Sequence, residues 1–452
     1  MARDRTFLVP WFRLLIIAGL CAIFSFGSVN VAHAQYLIGI DQGGGASAGA
    51  LQEIADQETW LGKTFAIVQS ARSGIEVNMS QVVPGLLAIW NQGSVPLLTW
   101  RPCAMTCVTQ PITSAIANGQ FDSYLNQDLS VLKTWLAGPD GVYGTSDDRR
   151  LFLRFDQEMN GHWWPESPGQ NGNTSASWIA MWQHVVTSFR NAGLDSSHVA
   201  FVWCPNSSDN GSTMAADYPG DPYVDWLGLD GYSRGDGAMP SQVFGFGIKE
   251  IRSVSAGAAA KPLGIYETGF VTKGRASLIS AKGRYITNLY TSYAESQNIK
   301  DIEWFNSWYS DGDHVYFGCD DHVYPKYSGC PVSANRAGTE PYGNTTQAIN
   351  GTTYLFYSQF KTAVLGSSYP VWGKTGNPRI LTDAQFAGNF VTSPAPAAST
   401  TSCRLGFLAS DNFNSTSLNT SIWPFIKPVV PSLAWVLRHV VVLMGACSSM
   451  RT

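Results

Sequence analysis

The amino-acid sequence predicts a (β/α)₈ barrel, also called a TIM barrel, between residues 36 and 366. Short apolar segments alternate there with longer segments of helical period, and eight of the short segments have the length of strands. Polar and aromatic residues follow several of these strands, which is where barrel active sites are built. A doubly wound open sheet would show the same alternation. The polar groups at several different strand ends favour the barrel.

Each strand candidate is short and nearly continuous in apolar character, as is typical of strands covered on both faces. The eight candidates are residues 36–40, 64–69, 95–100, 151–155, 199–203, 226–229, 263–266 and 302–305. Helices are predicted at residues 47–60, 80–92, 122–137, 175–193, 241–257 and 276–297, and a further one at 352–366 follows the last strand. The connection from the fifth to the sixth strand shows no clear helical period.

The segment 175–193 has the features expected of a helix packed on the barrel. Ser175 and Ser177 are candidate N-caps. Apolar residues recur behind them at helical spacing, namely Trp178, Ile179, Met181, Trp182, Val185, Val186 and Phe189. This stripe predicts side chains that face the core and not a row of sugar-binding rings.

The N-terminal residues 1–34 have the pattern of a secretory signal peptide. Three arginines precede an apolar segment, 14–26, and Ala32-His33-Ala34 provides a small-residue cleavage motif. The apolar segment is too short to span a bilayer. We therefore expect a secreted, extracellular protein that begins near Gln35, with no membrane attachment after cleavage.

A change in composition near residue 391 predicts the end of the barrel domain, residues 35–390. Residues 391–402 are rich in Pro, Ser, Thr and Ala, as linkers are. Residues 411–423 resemble the opening of a β-sandwich module of laminin-G-like type, and this pattern is lost from Lys427 onwards. Residues 403–452 are therefore expected to be a truncated β-sandwich-like remnant or a disordered tail.

The overall composition excludes one class of partner and suggests another. The net charge of −4, with 14% charged residues, offers no basic surface for nucleic acid. The 16 tryptophans are suited to stacking on sugar rings, although a large core would also use them. We expect a monomer with a carbohydrate partner.

The cysteines predict disulfides in place of a metal site. Cys103 and Cys107 form one candidate pair, and Cys319 and Cys330 form another, as secretion permits. Zinc is the alternative, but the chain contains neither C-x-x-C nor H-E-x-x-H. We therefore expect no metal and no other cofactor. Cys204 has no evident partner and is expected to be a buried thiol.

Two glutamates carry the chemistry that the sequence predicts. Glu158 follows the fourth strand, and Glu267 ends the short apolar segment of the seventh. The corresponding strand ends face each other across a barrel mouth. Hydrolysis of a glycosidic bond needs two carboxyl groups, and a separation of roughly 5–5.5 Å would give retention of configuration. Two unrelated surface carboxylates are the alternative.

Three linked motifs, residues 154–164, 218–232 and 261–269, make the chain similar to glycoside hydrolase family 26, the β-mannanase family of retaining barrel glycosidases. The resemblance implies that Glu158 is the acid/base and Glu267 the nucleophile. It also implies that Tyr232 hydrogen-bonds the nucleophile, that Trp163 lines the cleft, and that Trp304 lies under the sugar at subsite −1.

One residue departs from the family pattern, because Gln157 stands where the family usually has His. An amide can still donate to a sugar hydroxyl or to the nucleophile. Trp308 is expected to stack on a sugar unless it belongs to the core, and His162 either reaches a sugar or points to water. Arg154 contacts substrate, or it forms an internal ion pair with Asp156 or Glu267.

The electrostatic roles of the two glutamates follow from their surroundings. Desolvation between apolar strand and indole rings should raise the pKa of Glu158 and keep it protonated, while Tyr232 and Arg154 should keep Glu267 ionised. These properties and the resemblance to family 26 together predict an endo-acting hydrolase of a β-linked polysaccharide, and the resemblance implies β-1,4-mannan as the first candidate. β-Glucan and xylan are alternative substrates, and a non-catalytic carbohydrate-binding barrel is the alternative class.

Overall fold

The structure, a computed structural model, is a closed barrel of eight parallel strands enclosed by helices. It describes residues 36–42, 46–104, 106–271, 276–306, 344–366, 371–372 and 381–389. The strands pair in chain order, and β8 pairs with β1 in parallel to close the barrel. The predicted (β/α)₈ fold is therefore confirmed.

The barrel strands are β1 (Tyr36–Gln42), β2 (Ile67–Ser73), β3 (Val95–Arg101), β4 (Leu151–Phe155), β5 (Val199–Trp203), β6 (Trp226–Arg234), β7 (Leu263–Val271) and β8 (Ile299–Asn306). The helices in this part of the chain are α1 (Ala48–Leu61), α2 (Val83–Gln92), α3 (Ile112–Ala117), α4 (Asp122–Leu136), α5 (Ser175–Asn191), α6 (Pro240–Ser253), α7 (Ala256–Ala260) and α8 (Ala276–Asn288). A π-helical turn, Leu289–Tyr293, and the short α9 (Ala294–Ser296) continue α8.

The described residues after β8 add smaller elements. These are β9 (Asn344–Ile349), β10 (Thr352–Tyr357), α10 (Ser358–Gly366), β11 (Val371–Trp372) and α11 (Asp383–Phe386). β11 pairs in parallel with β1, beside the barrel proper.

Most predicted elements lie where the hydrophobic pattern placed them. β4 and β5 match their predicted bounds, whereas β2 begins at Ile67 and runs to Ser73. β6 and β7 continue well past their apolar segments, because polar residues at the barrel mouth keep the strand pairing. Between β5 and β6 the structure has a single 3₁₀ turn, Asp221–Tyr223, as the missing helical period predicted.

The helix predicted at 352–366 is wrong in its first half. Residues Thr352–Tyr357 form β10, which pairs antiparallel with β9, and α10 begins at Ser358. Asn350 and Gly351 both have positive φ and make the two-residue hairpin turn that an Asn-Gly pair favours. Because the β10 segment is rich in Thr and aromatic residues, its strand preference outweighs the helical spacing.

Helix α5 shows how the outer layer packs on the barrel. Its apolar stripe is buried as predicted, and the Trp178 and Trp182 rings stack with their centroids 5.4 Å apart. The N-cap is Thr174 and not Ser175 or Ser177. Ser177 instead completes a capping box, since its hydroxyl accepts from the Thr174 amide while its own amide donates to the Thr174 hydroxyl.

The barrel interior is unusual because charged and polar side chains fill much of it. Arg154 and Glu303 are fully buried there, in a place that bulky branched residues occupy in most barrels. Gly39 makes room for Glu303, and Gly228 makes room for another buried side chain, Tyr266. A Cβ on Gly39 would lie 2.6 Å from Glu303 Cγ, and one on Gly228 would lie 2.6 Å from Tyr266 Cδ2.

The predicted disulfide between Cys103 and Cys107 is present, with a Cα–Cα distance of 4.8 Å. Cys204 is a buried free thiol, also as predicted. Cys319, Cys330 and Trp308 lie outside the described residues, as do residues 1–34, the predicted linker at 391–402 and residues 403–452. Among the helices that the structure describes, none has the length and apolar character needed to cross a membrane.

The packing around Gly228 leads to a stability test. Gly228→Ala is expected to destabilise the barrel by about 1–3 kcal/mol, because its Cβ would overlap Tyr266 and Cys204. Gly245→Ala, in α6, is the matched control: its Cβ meets open space and should stabilise by up to about 1 kcal/mol. Urea unfolding followed by tryptophan fluorescence measures both variants, and equal effects would contradict the close packing.

Candidate active site

Glu158 lies on a sharp turn directly after β4. Asp156 and Glu158 have φ values of 48° and 56°, a conformation that costs energy for residues other than glycine. The Glu158 amide donates to the Cys204 carbonyl, 2.8 Å away, which ties the turn to the end of β5. The turn therefore directs the Glu158 side chain into the mouth of the barrel.

Two donors hold the Glu158 carboxyl group. Trp163 Nε1 donates to Oε2 at 2.9 Å, and Asn206 Nδ2 donates to Oε1 at 2.7 Å. Burial and, to a smaller extent, the charge of Glu267 raise the pKa of Glu158 to about 7, against the lowering effects of the two hydrogen bonds and Arg154. A carboxyl group with this pKa can hold a proton near neutral pH and release it during a reaction.

Glu267 has a different environment from Glu158. β7 continues to Val271, so Glu267 lies inside the strand and not after it. The Tyr232 hydroxyl donates to Oε2 at 2.5 Å, and Arg154 donates to Oε1 at 2.5 Å. Glu267 therefore has a hydrogen-bond donor on each of its carboxylate oxygens.

Arg154 is the buried cation that connects the site to the barrel interior. Its Nη1 donates to both carboxylate oxygens of Asp230 at 2.9 and 3.0 Å, and its Nη2 also donates to the Gln69 amide oxygen at 3.1 Å. Its Nε donates to the Thr99 hydroxyl at 2.9 Å. The predicted ion pair between Arg154 and Glu267 is present. The second carboxylate that pairs with Arg154 is Asp230, and not the alternative, Asp156. A direct substrate contact is ruled out as a role for Arg154, since its side chain is fully buried.

Trp304 does not occupy the substrate-facing position that the family resemblance implied. Its ring is fully buried in the outer core and contacts Phe360, with the centroids 6.2 Å apart. Because successive residues of a strand point to opposite faces, the next residue, Phe305, faces the site instead. The Phe305 ring meets Tyr232 edge-on at 5.8 Å.

The other predicted binding residues line the mouth of the barrel to different degrees. Trp163 is 39% exposed beside Glu158, which leaves part of its ring open to a ligand. His162 is exposed, and its Nδ1 lies 2.9 Å from the Asn210 carbonyl oxygen. Gln157 is buried, and its Oε1 has no hydrogen-bond partner among the described residues. The site thus contains an amide acceptor still to be satisfied.

Sequence reasoning missed several polar residues that shape the site. Asp230 pairs with Glu267 across β6 and β7, at a point where the strand register shifts. Asp41, near the end of β1, accepts from Gln69 at 2.7 Å. Burial raises the pKa of Asp41 to about 7, and the charge of Glu267 adds to the effect. Each follows an apolar run at a strand's carboxyl end, and this position was the signal that could have identified them.

Comparisons with known proteins show which family this chain is similar to. Residues 118–305, which include both glutamates, match the family model described as glycosyl hydrolase family 26. The resemblance to family 26 is confirmed. The match begins before β4 and ends within β8, so it covers the strands that carry Glu158, Tyr232 and Glu267. The same match supports the prediction of a glycoside hydrolase.

Individual proteins with similarity to this chain are more distant. Endoglucanase H of Acetivibrio thermocellus is 29% identical over 301 residues, which are 64% of this chain and 29% of that protein. The matched region thus spans less than a third of that relative's length. The solved structure of Bacillus subtilis mannanase man26 is 19% identical with a TM-score of 0.43, covering 62% of this chain and 82% of that chain. A modular endo-β-1,4-mannanase of Cellulomonas fimi is 16% identical with a TM-score of 0.46, covering 64% and 68%.

The Arg154 network allows a test of what holds the candidate active site together. Arg154→Met should destabilise the protein by about 3–5 kcal/mol, because it leaves two buried carboxyl groups, Asp230 and Glu267, without their cation. Lys133→Met, which removes an exposed contact to the Ala192 carbonyl, should change stability by about 0.5 kcal/mol at most. Chemical denaturation of both variants measures the difference, and similar losses would show that Arg154 is not the central cation.

Proposed function

We propose that this protein is an endo-acting glycoside hydrolase that cleaves β-linked polysaccharide with retention of configuration. The observation that carries the proposal is the contrast between two glutamates at one end of the barrel. Burial gives Glu158 a pKa of about 7, whereas two donors contact the oxygens of Glu267. A retaining glycosidase needs this combination of one protonated and one ionised carboxyl group.

The first chemical step uses both carboxyl groups. An oxygen of Glu267 attacks the anomeric carbon and forms a glycosyl ester, while the bond from that carbon to the leaving oxygen breaks. Glu158 gives its proton to the leaving oxygen. In the second step Glu158 takes a proton from water, the water oxygen bonds to the anomeric carbon, and the ester bond to Glu267 breaks.

The contacts around Glu267 account for the exchange of roles. While Glu267 is ionised, its charge raises the pKa of Glu158. The glycosyl ester has no such charge, so the pKa of Glu158 falls at the stage when a base is needed. Tyr232 and Arg154 orient the nucleophile by holding one oxygen each, which limits the geometry of attack.

Mannan is the first substrate that we propose, and β-glucan is the second. The family 26 match and the motif resemblance support a β-1,4-mannan backbone. The name of the relative Endoglucanase H, together with Gln157 in place of the family's His, supports a β-glucan instead. Pocket contacts and not the carboxyl pair decide between these sugars. We also propose that the protein acts outside the cell, on the basis of the N-terminal signal-peptide pattern. We propose in addition that it is a monomer.

The decisive assay compares initial rates on galactomannan, glucomannan, xylan and mixed-linkage glucan, with products analysed by chromatography and NMR. Internal cleavage with a β-anomeric initial product supports a retaining endo-hydrolase. An α-anomeric product would make the enzyme inverting, and binding without turnover on every polysaccharide would identify a non-catalytic barrel.

Removal of the two glutamates should have different consequences. Glu267→Ala should lower kcat by at least about 10⁴-fold, because it removes the carboxylate proposed to attack the anomeric carbon. Glu158→Ala should recover activity on aryl glycosides with good leaving groups, and azide should increase the rate by replacing water. Glu295→Gln, an exposed residue of α9, is the control and should match the wild type. Normal turnover by Glu267→Ala would end the assignment.

The pH profile should report the Glu158 carboxyl group. Since the protonated form is the active acid and its pKa is about 7, kcat/KM should fall as pH rises through about 7. Asn206→Ala removes a donor that favours the ionised form, so the alkaline limb should move to higher pH. Thr213→Ala, also between β5 and β6, removes an acceptor for the Ala216 amide and should leave the limb in place. An alkaline limb that Asn206→Ala leaves unmoved would contradict the role of this contact.

A further inference from the structure

Two acidic side chains, Asp156 and Glu166, lie together behind the turn that carries Glu158. Each is 1% exposed. A hydrogen bond between their carboxyl groups contributes to the electrostatics of both, favouring the protonated form of Asp156 and the ionised form of Glu166. Two ionised carboxylates have no donor between them, so this contact requires a proton on one of the pair.

The neighbours of the pair decide which carboxyl group holds the proton. Arg101 makes a two-point ion pair with Glu166, from Nε to Oε1 at 2.9 Å and from Nη2 to Oε2 at 3.2 Å. Asp156 accepts from Trp178 Nε1 at 2.6 Å through Oδ2. Its Oδ1 has no hydrogen-bond partner among the described residues unless it carries a proton. The guanidinium therefore favours an ionised Glu166 and a neutral Asp156.

The surroundings keep this pair away from water. A carboxylate oxygen of Glu166 lies within 4.8 Å of the sulfurs of Cys103 and Cys107, and the Arg101 guanidinium lies 3.7 Å from the centroid of the Trp164 ring. The charged groups that act on Asp156 are Glu166 and Arg101. Burial is the main reason that the pKa of Asp156 lies well above its usual value, and the charge of Glu166 adds to it.

Asp156 occupies the position from which the turn can be held. It is the first residue after β4, its φ is 48°, and its amide donates to the Trp100 carbonyl at 2.8 Å. Two residues later Glu158 has a φ of 56°. Positive φ at both positions is unfavourable for these residue types, so side-chain anchors must maintain the turn. The bonds of Asp156 to α5 and to Glu166 provide such anchors.

We propose that Asp156 is a positioning residue: it stays protonated, donates a hydrogen bond to Glu166, and thereby holds the strained turn that directs Glu158 at the leaving group. This inference rests on the proposed function for its kinetic consequences. The protonated pair itself does not depend on that function, so the two can fail separately.

Asp156→Asn and Asp156→Ala test the proposal as a pair. The amide of Asn can accept from Trp178 and donate to Glu166, as protonated Asp does, so kcat should stay within about threefold of the wild type. Asp156→Ala removes both bonds, and kcat on polysaccharide should fall about 10- to 100-fold with KM changed less than about threefold. On a 2,4-dinitrophenyl glycoside with azide present, the loss in Asp156→Ala should shrink to about threefold, because neither step then needs Glu158.

The pH profile of Asp156→Asn separates a neutral Asp156 from an ionised one. If Asp156 is neutral, as proposed, the alkaline limb set by Glu158 stays in place. If Asp156 is ionised, its removal takes a negative charge from beside Glu158 and moves the limb to lower pH by about half a unit or more. A limb displaced in this way would overturn the proposal.

A readout without substrate keeps the proposal testable if the enzyme assay fails or Asp156→Ala does not fold. The infrared difference spectrum of wild type minus Asp156→Asn at neutral pH should contain the carbonyl band of a protonated carboxyl group. A carboxylate band in its place would overturn the proposal. Infrared confirmation together with inactivity on every polysaccharide would reject the proposed function and leave the protonated pair standing.

Discussion

The buried guanidinium of Arg154 is the interaction on which the site depends. It lies inside the barrel, where its two terminal nitrogens reach Asp230 on β6 and Glu267 on β7. A buried charge without partners is expensive, and so is each carboxyl group around it. The cation and the carboxyl groups therefore offset one another's cost of burial. The position of Glu267 is a consequence of this network. A catalytic carboxyl group placed in this way has little freedom to move.

The surplus of carboxyl groups around that cation has a second consequence. Asp41, Asp230, Glu267 and Glu303 all act on Arg154 or on each other, and one guanidinium cannot balance all of them as anions. Burial then favours the neutral form for those that lack a donor. Glu158 gains its raised pKa in this setting, since it is desolvated and lies near the charge of Glu267. Two glutamates of identical chemistry thus have different surroundings. Glu158 is desolvated and has a raised pKa, as an acid requires, whereas Glu267 has a donor on each oxygen that orients it as a nucleophile.

Much of the fold could be predicted because the hydrophobic period of a strand or helix is a local property of the chain. The bounds of β4 and β5, and the buried stripe of α5, needed nothing beyond residue spacing. Trp304 shows the limit of such reasoning. An indole at the end of β8 could face either the site or the helices, and a register difference of one residue reverses the answer. The structure turns Trp304 to the helical layer and gives the site side to Phe305.

Several partners in the site lie far from Glu158 and Glu267 in the chain. Asp230 has a clear position at a strand end, but its bond to Arg154 depends on the order of strands around the barrel and on the register shift between β6 and β7. Asn206 reaches Glu158 from a loop without a periodic pattern. Glu166, in the loop after β4, contacts Arg101, the last residue of β3. Contacts of this kind form between elements, so no single segment encodes them.

The sequence by itself determined the barrel, the two glutamates and the tyrosine beside one of them, because strand periodicity and linked motifs are written in the order of residues. It also determined that Cys103 and Cys107 were close enough to join. Only the tertiary structure decided the partners of Arg154, the outward direction of Trp304 and the pairing of Asp156 with Glu166. Those outcomes depend on which side chains lose water together when the strands close into a ring, and that is a property of the packed whole.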